Sequence, residues 1–197
     1  MANIFAPFGF TQSGGLSGVS PNFGQSTHLI AAANTNQFFY GDPVIQLTTV
    51  YIDVAPSAGS GTLFGIFAGC YYSSLSRGGA TWWSPYWPGS DAASDVNAYV
   101  ISYQNGTFYV QSGPGGPLTL SALGSNINFQ RGTGNTTTGL SGAYVDPTTL
   151  ATTATLPFRI TGLVTNPPGG PGTDATSAFN WVAVTFNNQT FKTLTGV

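Results

Sequence analysis

Glutamate is absent from this chain, and lysine and arginine together occur only four times. These residues normally fill the solvent-facing positions of helices and are among the better helix formers. Threonine, valine, tyrosine and phenylalanine are frequent instead, and they favour extended backbone. The sequence therefore predicts an all-β fold, either a compact β-barrel or a β-sandwich, with an extended N-terminal arm, long loops and little helix.

The scarcity of charge also limits the functions open to the protein. Charged side chains make up 5% of the 197 residues, against about 25% in an ordinary soluble domain. The basic residues Arg77, Arg131, Arg159 and Lys192 are scattered, so we expect no basic patch and no nucleic-acid partner. A surface this poor in charge is ill suited to a free monomer, and we expect the chain to work inside an assembly.

The hydrophobic pattern divides the chain at residue 37. Residues 1–36 show no sustained period and indicate an extended N-terminal arm, whereas 37–197 indicate a single β-rich domain with an aromatic loop at 73–96 and a polar C-terminal tail at 187–197. The arm carries four isolated aromatic residues that need burial: Phe5, Phe8, Phe10 and Phe23. They could dock either on the chain's own core or on a neighbouring subunit.

Two local patterns predict particular strands. The almost wholly apolar stretch 63–72 predicts a central strand that is buried on both faces. Asn105-Gly106, between 98–104 and 107–112, predicts a two-residue type I′ hairpin in which Ile101 faces Val110 and Tyr103 faces Phe108. Further strands are predicted around 44–54, 118–122, 126–130, 153–164 and 178–186.

The residues that could support catalysis or metal binding are few. His28 and Cys70 are each the sole residue of their type, and a cysteine in an apolar strand is usually a buried, inert thiol. Asp91 and Asp95 lie in a polar loop, where solvated or capping roles are usual. We therefore expect no catalytic site, no metal site and no cofactor.

The segment 82–88 concentrates the large aromatic side chains Trp82, Trp83, Tyr86 and Trp87. Three interpretations remain open for it. The rings could fold over the chain's own domain, they could anchor a subunit or capsid interface, or they could form a platform for a carbohydrate.

The order of short motifs along the chain is similar to that of a known group of proteins. The motifs are Met1-Ala2-Asn3 with Ala6–Phe10, then Gly41–Val44, Gly65–Tyr71, Tyr86-Trp87-Pro88, Ala98–Val100 with Phe108–Gln111, Gly139–Gly142, Thr155–Ile160 and Thr195-Gly196-Val197. In this order the chain resembles the head decoration, or cement, proteins of tailed bacteriophages, which have about 200 residues.

That resemblance implies a β-rich structural virion protein that bridges major capsid protein subunits on the outer capsid surface. A homotrimer is the first expectation for its assembly and a homodimer the second. The interface candidates are the aromatic residues named above. The N-terminal sequence lacks the basic and apolar segments of a signal peptide, so we expect synthesis in the host bacterial cytoplasm and no membrane partner. The alternative function is a carbohydrate-binding or host-adhesion module of the virion that uses the 82–88 aromatics.

Overall fold

The prediction of an all-β fold is confirmed by a computed structural model, in which antiparallel sheets pack in a sandwich-like arrangement. The structure describes residues 2–15, 24–57, 61–165 and 173–192. Within these ranges the helical residues form a single 3-10 turn at Leu120–Ala122, and no α-helix occurs.

In the described part of the chain, the strands are distributed over two six-stranded sheets and one two-stranded sheet. The first sheet has the order β1-β10-β14-β13-β11-β12, with bounds Thr11–Gly15, Gly106–Gln111, Trp181–Phe186, Phe158–Val164, Asn126–Gly132 and Gly142–Ala151. The second has the order β2-β9-β6-β4-β5, with bounds Ser26–Ile30, Val96–Ile101, Gly65–Ser73, Pro43–Gln46 and Ile52–Val54, and β7 (Thr81–Ser84) also pairs with β6. The short strands β3 (Phe38–Phe39) and β8 (Tyr86–Trp87) pair with each other.

The apolar stretch 63–72 forms the centre of the second sheet, as predicted. Strand β6 pairs with β9 on one edge and with β4 and β7 on the other, and its residues 65–70 are all buried. The two faces of β6 serve two different cores: Ile66 and Ala68 lie in the core between the two large sheets, and Phe67 and Cys70 lie in a second core on the other face, with a register shift between Phe67 and Cys70. This double burial explains why the stretch has no polar alternation.

The described part of the predicted N-terminal arm belongs to the domain itself, which corrects the arm expectation. Strand β1 pairs with β10 in the first sheet, and β2 pairs with β9 in the second. Phe10 is 1% exposed and stacks on Phe158 with ring centroids 4.4 Å apart. Complete burial of such a ring stabilises by about 1.5–3 kcal/mol, and this gain together with the added backbone hydrogen bonds favours docking on the chain's own core.

The predicted Asn105-Gly106 hairpin is wrong, although a turn does form there. The Gly106 N–H donates to the Tyr103 carbonyl at 3.0 Å, but neither Asn105 nor Gly106 has the positive φ that a type I′ turn requires. Strand β9 lies between β2 and β6, and β10 lies between β1 and β14. The chain therefore crosses from one sheet to the other, and Ile101 and Val110 both enter the core between the sheets instead of pairing as neighbours.

Three smaller expectations also change. Residues 73–96 are not simply a loop, because they contain β7 and β8. The strand predicted at 118–122 is replaced by the 3-10 turn, whereas β11, β13 and β14 lie where strands were predicted. The described part of the 187–197 tail folds back: Gln189 is fully buried, and its side-chain amide donates to the Phe64 carbonyl at 3.0 Å and to the Ser102 carbonyl at 2.8 Å.

Candidate functional site

The structure separates the four large aromatics of segment 82–88. Trp87 is fully buried in the second core, edge-on to Tyr72 with ring centroids 5.0 Å apart, so it stabilises the domain and cannot contact a partner. Trp82 and Trp83 are 40% and 53% exposed, and they project from opposite faces of β7 because successive strand residues alternate. Tyr86 is half-buried and stacks on Phe39 with ring centroids 5.5 Å apart. Two surfaces result, one containing Trp82 and the other containing Trp83.

Trp82 and Tyr86 line a groove with a volume of about 680 Å³. One wall is the β6–β7 connection with Trp82, another is the turn 85–91, and a third is the loop 136–139. The turn is anchored at Ser90, whose N–H donates to the Asn34 carbonyl at 3.0 Å. The third wall is close-packed, since a Cβ added to Gly139 would lie 2.4 Å from Pro85 Cγ. These contacts fix the walls of the groove relative to the sheet.

Arg77 supplies the positive charge of the groove. Its guanidinium carbon lies 3.9 Å from the centroid of the Trp82 ring, a cation–π contact. The other three basic side chains bond to their own chain: Arg131 to Gln37, Arg159 to Asn126 and Asn187, and Lys192 to Phe186. The Arg77 guanidinium makes no hydrogen bond or ion pair to any described residue, so its donors face the groove and solvent.

Asp91 supplies the negative charge. Its Oδ2 accepts hydrogen bonds from Ser74 Oγ at 2.7 Å, Ser76 Oγ at 3.1 Å and the Tyr72 hydroxyl at 3.5 Å, while its Oδ1 accepts from the Ser76 N–H at 2.8 Å. Desolvation alone would raise the pKa of Asp91, but these hydrogen bonds lower it below its usual value. Asp91 is therefore an ionised carboxylate held in one orientation.

Trp83 belongs to the second surface, a row of neighbouring side chains across four strands of the second sheet. Register places Trp83 (β7) beside Tyr71 (β6), Tyr71 beside Asn97 (β9), and Asn97 beside Leu29 (β2). Tyr71, Asn97 and Leu29 adjoin buried members of the second core in their own strands and therefore face away from it, and Trp83 lies on the same face as its register partner Tyr71. We call this row the aromatic strip; Tyr71 is 43% exposed, and Asn97 is also exposed.

The phenylalanines predicted as interface candidates occupy different positions. Phe10 is in the core between the sheets and is therefore not a contact residue. Phe8 is half-buried against Trp181, with ring centroids 4.5 Å apart. Phe5 remains 41% exposed beside Tyr144 and Phe179. Phe23 lies outside the described residues.

The titratable residues singled out from the sequence are not brought together. His28 packs edge-on against Phe64, its Nε2 lies 2.9 Å from Ser26 Oγ, and burial lowers its pKa. Cys70 is buried, and burial raises the pKa of its thiol to about 12. Strand β9 separates the two, since His28 and Cys70 are both register partners of Ala98. Asp95 accepts from the Ala32 N–H and the Tyr51 hydroxyl, away from the groove.

Sequence reasoning missed Arg77 and Tyr71 as surface-site residues. Arg77 stands alone in a Gly- and Ser-rich turn, and Tyr71 lies within the apolar run 63–72 that predicts burial. Only the β6–β7 pairing places Arg77 beside Trp82 and Tyr71 beside Trp83. The alternation of Trp82 and Trp83 was the one available signal, because adjacent residues of a strand must face opposite sides.

No known protein family, curated protein or solved structure matches this chain. Across residues 2–15, 24–57, 61–165 and 173–192, no three His, Cys, Asp or Glu side chains are grouped so that they could hold a metal ion. The described ranges also contain no helix that is long and apolar enough to cross a membrane.

Proposed function

We propose that this protein is a structural virion protein that decorates the outer surface of a tailed-bacteriophage capsid and stabilises it by bridging major capsid protein subunits. The observation that carries the proposal is the aromatic strip. It exposes Trp83 and Tyr71 side by side on paired strands. Tryptophan and tyrosine dominate the binding energy of protein interfaces, because they bury a large area with few rotatable bonds.

The charge distribution supports an interface of this kind. Three of the four basic side chains are engaged with their own chain. The chain offers few free charges for ionic contacts, so attachment would depend on apolar burial and backbone hydrogen bonds. The order of short motifs resembles that of head decoration proteins, which supports the same function. It also implies that the partner is the major capsid protein.

The proposed mechanism is multivalent clamping. A strip of a few side chains binds weakly by itself, but linked copies that contact several capsid subunits gain effective concentration. A homotrimer is the arrangement we propose first and a homodimer the second. Because residues 2–15 pack on the chain's own sheets, the proposal places the bridging contact on the strip and not on an N-terminal arm.

The test is attachment of the purified protein to expanded phage heads that lack it, measured by cosedimentation. We expect binding by the parent protein and at least about tenfold weaker binding by Trp83→Ala, a loss equivalent to ~1.4 kcal/mol per contact. Trp82→Ala is the matched control, because Trp82 is the adjacent tryptophan, is similarly exposed and faces the other side of β7. Heads that never bind the parent protein, or that bind both variants equally well, would contradict the proposal.

Two further measurements test the mechanism. Heads without the protein should release DNA at lower temperature, or sooner after chelation, than decorated heads; equal robustness would rule out clamping. Attachment should change little between low and physiological salt, because few of the contacts can be ionic. A steep salt dependence would argue against an apolar interface.

A further inference from the structure

The groove beside Trp82 has the size and the wall composition of a ligand site. Its volume of about 680 Å³ lies within the range of about 300–1,000 Å³ that is common for small-ligand sites. Half of its lining residues carry a hydroxyl group, which can donate and accept. Tyr72 and Ser76 use theirs on Asp91, and the others are Ser84, Ser90, Thr136, Thr137 and Tyr86. Such a surface suits a ligand that is itself rich in hydroxyl groups.

An apolar platform lies among these hydroxyls. Trp82 contributes an indole that is 40% exposed, and Pro85 and Pro88 contribute apolar ring edges. The Arg77 guanidinium carbon lies 3.9 Å from the Trp82 ring centroid and covers one face of the indole, so a ligand would stack on the opposite face. An aromatic face flanked by hydrogen-bonding groups matches a sugar ring, whose C–H faces are apolar while its rim carries hydroxyls.

The two charges of the groove provide fixed polar contacts. The Arg77 guanidinium has donors that no described residue occupies. Asp91 Oδ1 accepts one hydrogen bond, from the Ser76 N–H, and a carboxylate oxygen has capacity for another. An arginine donor and a carboxylate acceptor in one groove can bind neighbouring hydroxyls of a sugar, which both accept and donate.

We propose that this groove binds a neutral saccharide, with Trp82 as the stacking platform and Arg77 and Asp91 as its polar contacts. The Arg77 and Asp91 charges cancel formally, so the site holds no net positive charge to attract an anion, and the Asp91 carboxylate repels one. This saccharide site is separate from the proposed capsid contact, since Trp82 and the aromatic strip lie on opposite faces of β7.

The test is titration of the purified chain with neutral oligosaccharides built from glucose, galactose, mannose or N-acetylglucosamine. An oligosaccharide that contains a uronate serves as the acidic comparison. Binding is followed by tryptophan fluorescence and calorimetry. We expect at least one neutral oligosaccharide to bind at millimolar concentration or below. Trp82→Ala and Arg77→Gln should each weaken that binding by at least about tenfold.

The matched control is Trp83→Ala, which should bind the saccharide as the parent does and should lose capsid attachment only. Arg77 lies in an exposed turn, so its replacement tests the site even if Trp82→Ala were to disturb β7. The proposal fails if no neutral oligosaccharide binds at millimolar concentration, if only the acidic one binds, or if Trp82→Ala and Arg77→Gln bind as well as the parent. Each of these outcomes leaves the capsid proposal unaffected.

Discussion

Asp42 shows at the scale of one residue how this chain uses its few charges. The side chain is 1% exposed and accepts hydrogen bonds from Ser141 Oγ at 2.5 Å and the Phe39 N–H at 2.9 Å, with Arg131 Nε 3.8 Å away. Burial raises the pKa of Asp42 despite these partners. The sequence indicates only a Gly-Asp-Pro turn here. The hydrogen bond that joins this turn to Ser141 is a tertiary contact, which the local sequence does not predict.

Replacement of Asp42 should therefore destabilise the fold. Asp42→Ala leaves the Ser141 hydroxyl and the Phe39 N–H without their acceptor, and we expect a loss of about 2–3 kcal/mol in the free energy of unfolding. Asp42→Asn should cost less, because its amide oxygen can still accept a hydrogen bond. Urea unfolding followed by circular dichroism measures both. An Asp42→Ala protein as stable as the parent would show that this network adds no net stability.

At the scale of elements, the crossing between β9 and β10 decides the topology. Asn105-Gly106 is a strong local hairpin pattern, yet each flanking strand finds both of its partners elsewhere. Once both edges of a strand are paired, the strand cannot also pair with its neighbour in sequence. The local pattern correctly predicts a change of direction, and long-range pairing decides which sheet each strand joins.

The close approach of β6 and β9 gives a prediction at the same scale. A Cβ added to Gly65 would lie 2.6 Å from the Ile101 carbonyl oxygen and 2.6 Å from Val100 Cγ1, so Gly65→Ala must push these central strands apart. We expect a loss of about 1–3 kcal/mol in unfolding free energy. Gly61→Ala is the control, because a Cβ there meets nothing within 4 Å, and it should leave the urea midpoint almost unchanged. Equal midpoints for the two variants would contradict the predicted crowding.

At the scale of the whole molecule, a handful of titratable groups sets the pH dependence of stability. Hydrogen bonds lower the pKa of Asp174 to about 2, led by those from Thr176 and Ser177, and they outweigh desolvation to lower the pKa values of Asp91 and Asp146. A carboxyl with a lowered pKa contributes stability above its unfolded value of 3.8, and this contribution is lost as the pH falls through its folded value. Asp42 contributes in the opposite direction: burial raises its pKa, so its ionised form destabilises the fold, and this destabilisation is relieved as the pH falls towards 3.8.

Stability should therefore decline on acidification in two steps. Burial lowers the pKa of His28, so its protonation opposes folding as the pH falls below 6.5, and the three carboxyls add a second decline below about pH 4. Urea midpoints measured across this range test the prediction. His28→Gln should remove the first step, and Asp42→Asn should remove a gain in stability that precedes the second, because the buried Asp42 carboxyl takes up its proton above pH 3.8. A profile without the lower step would contradict the carboxyl assignments.

The sequence alone determined the class of this fold and its central strand. Without glutamate and with few lysines and arginines, the chain has too few residues to cover the solvent-facing side of surface helices. The apolar run is buried on both faces over residues 65–70, while Tyr71 near its end stays exposed. The sequence did not determine where residues 2–15 dock, whether β9 pairs with β10, or which of the four aromatics in 82–88 stay exposed. Those outcomes depend on strand pairing and core contacts between residues far apart in sequence. Local propensity carries no information about such contacts, so only the tertiary structure separated Trp82 in its groove from Trp83 on the aromatic strip.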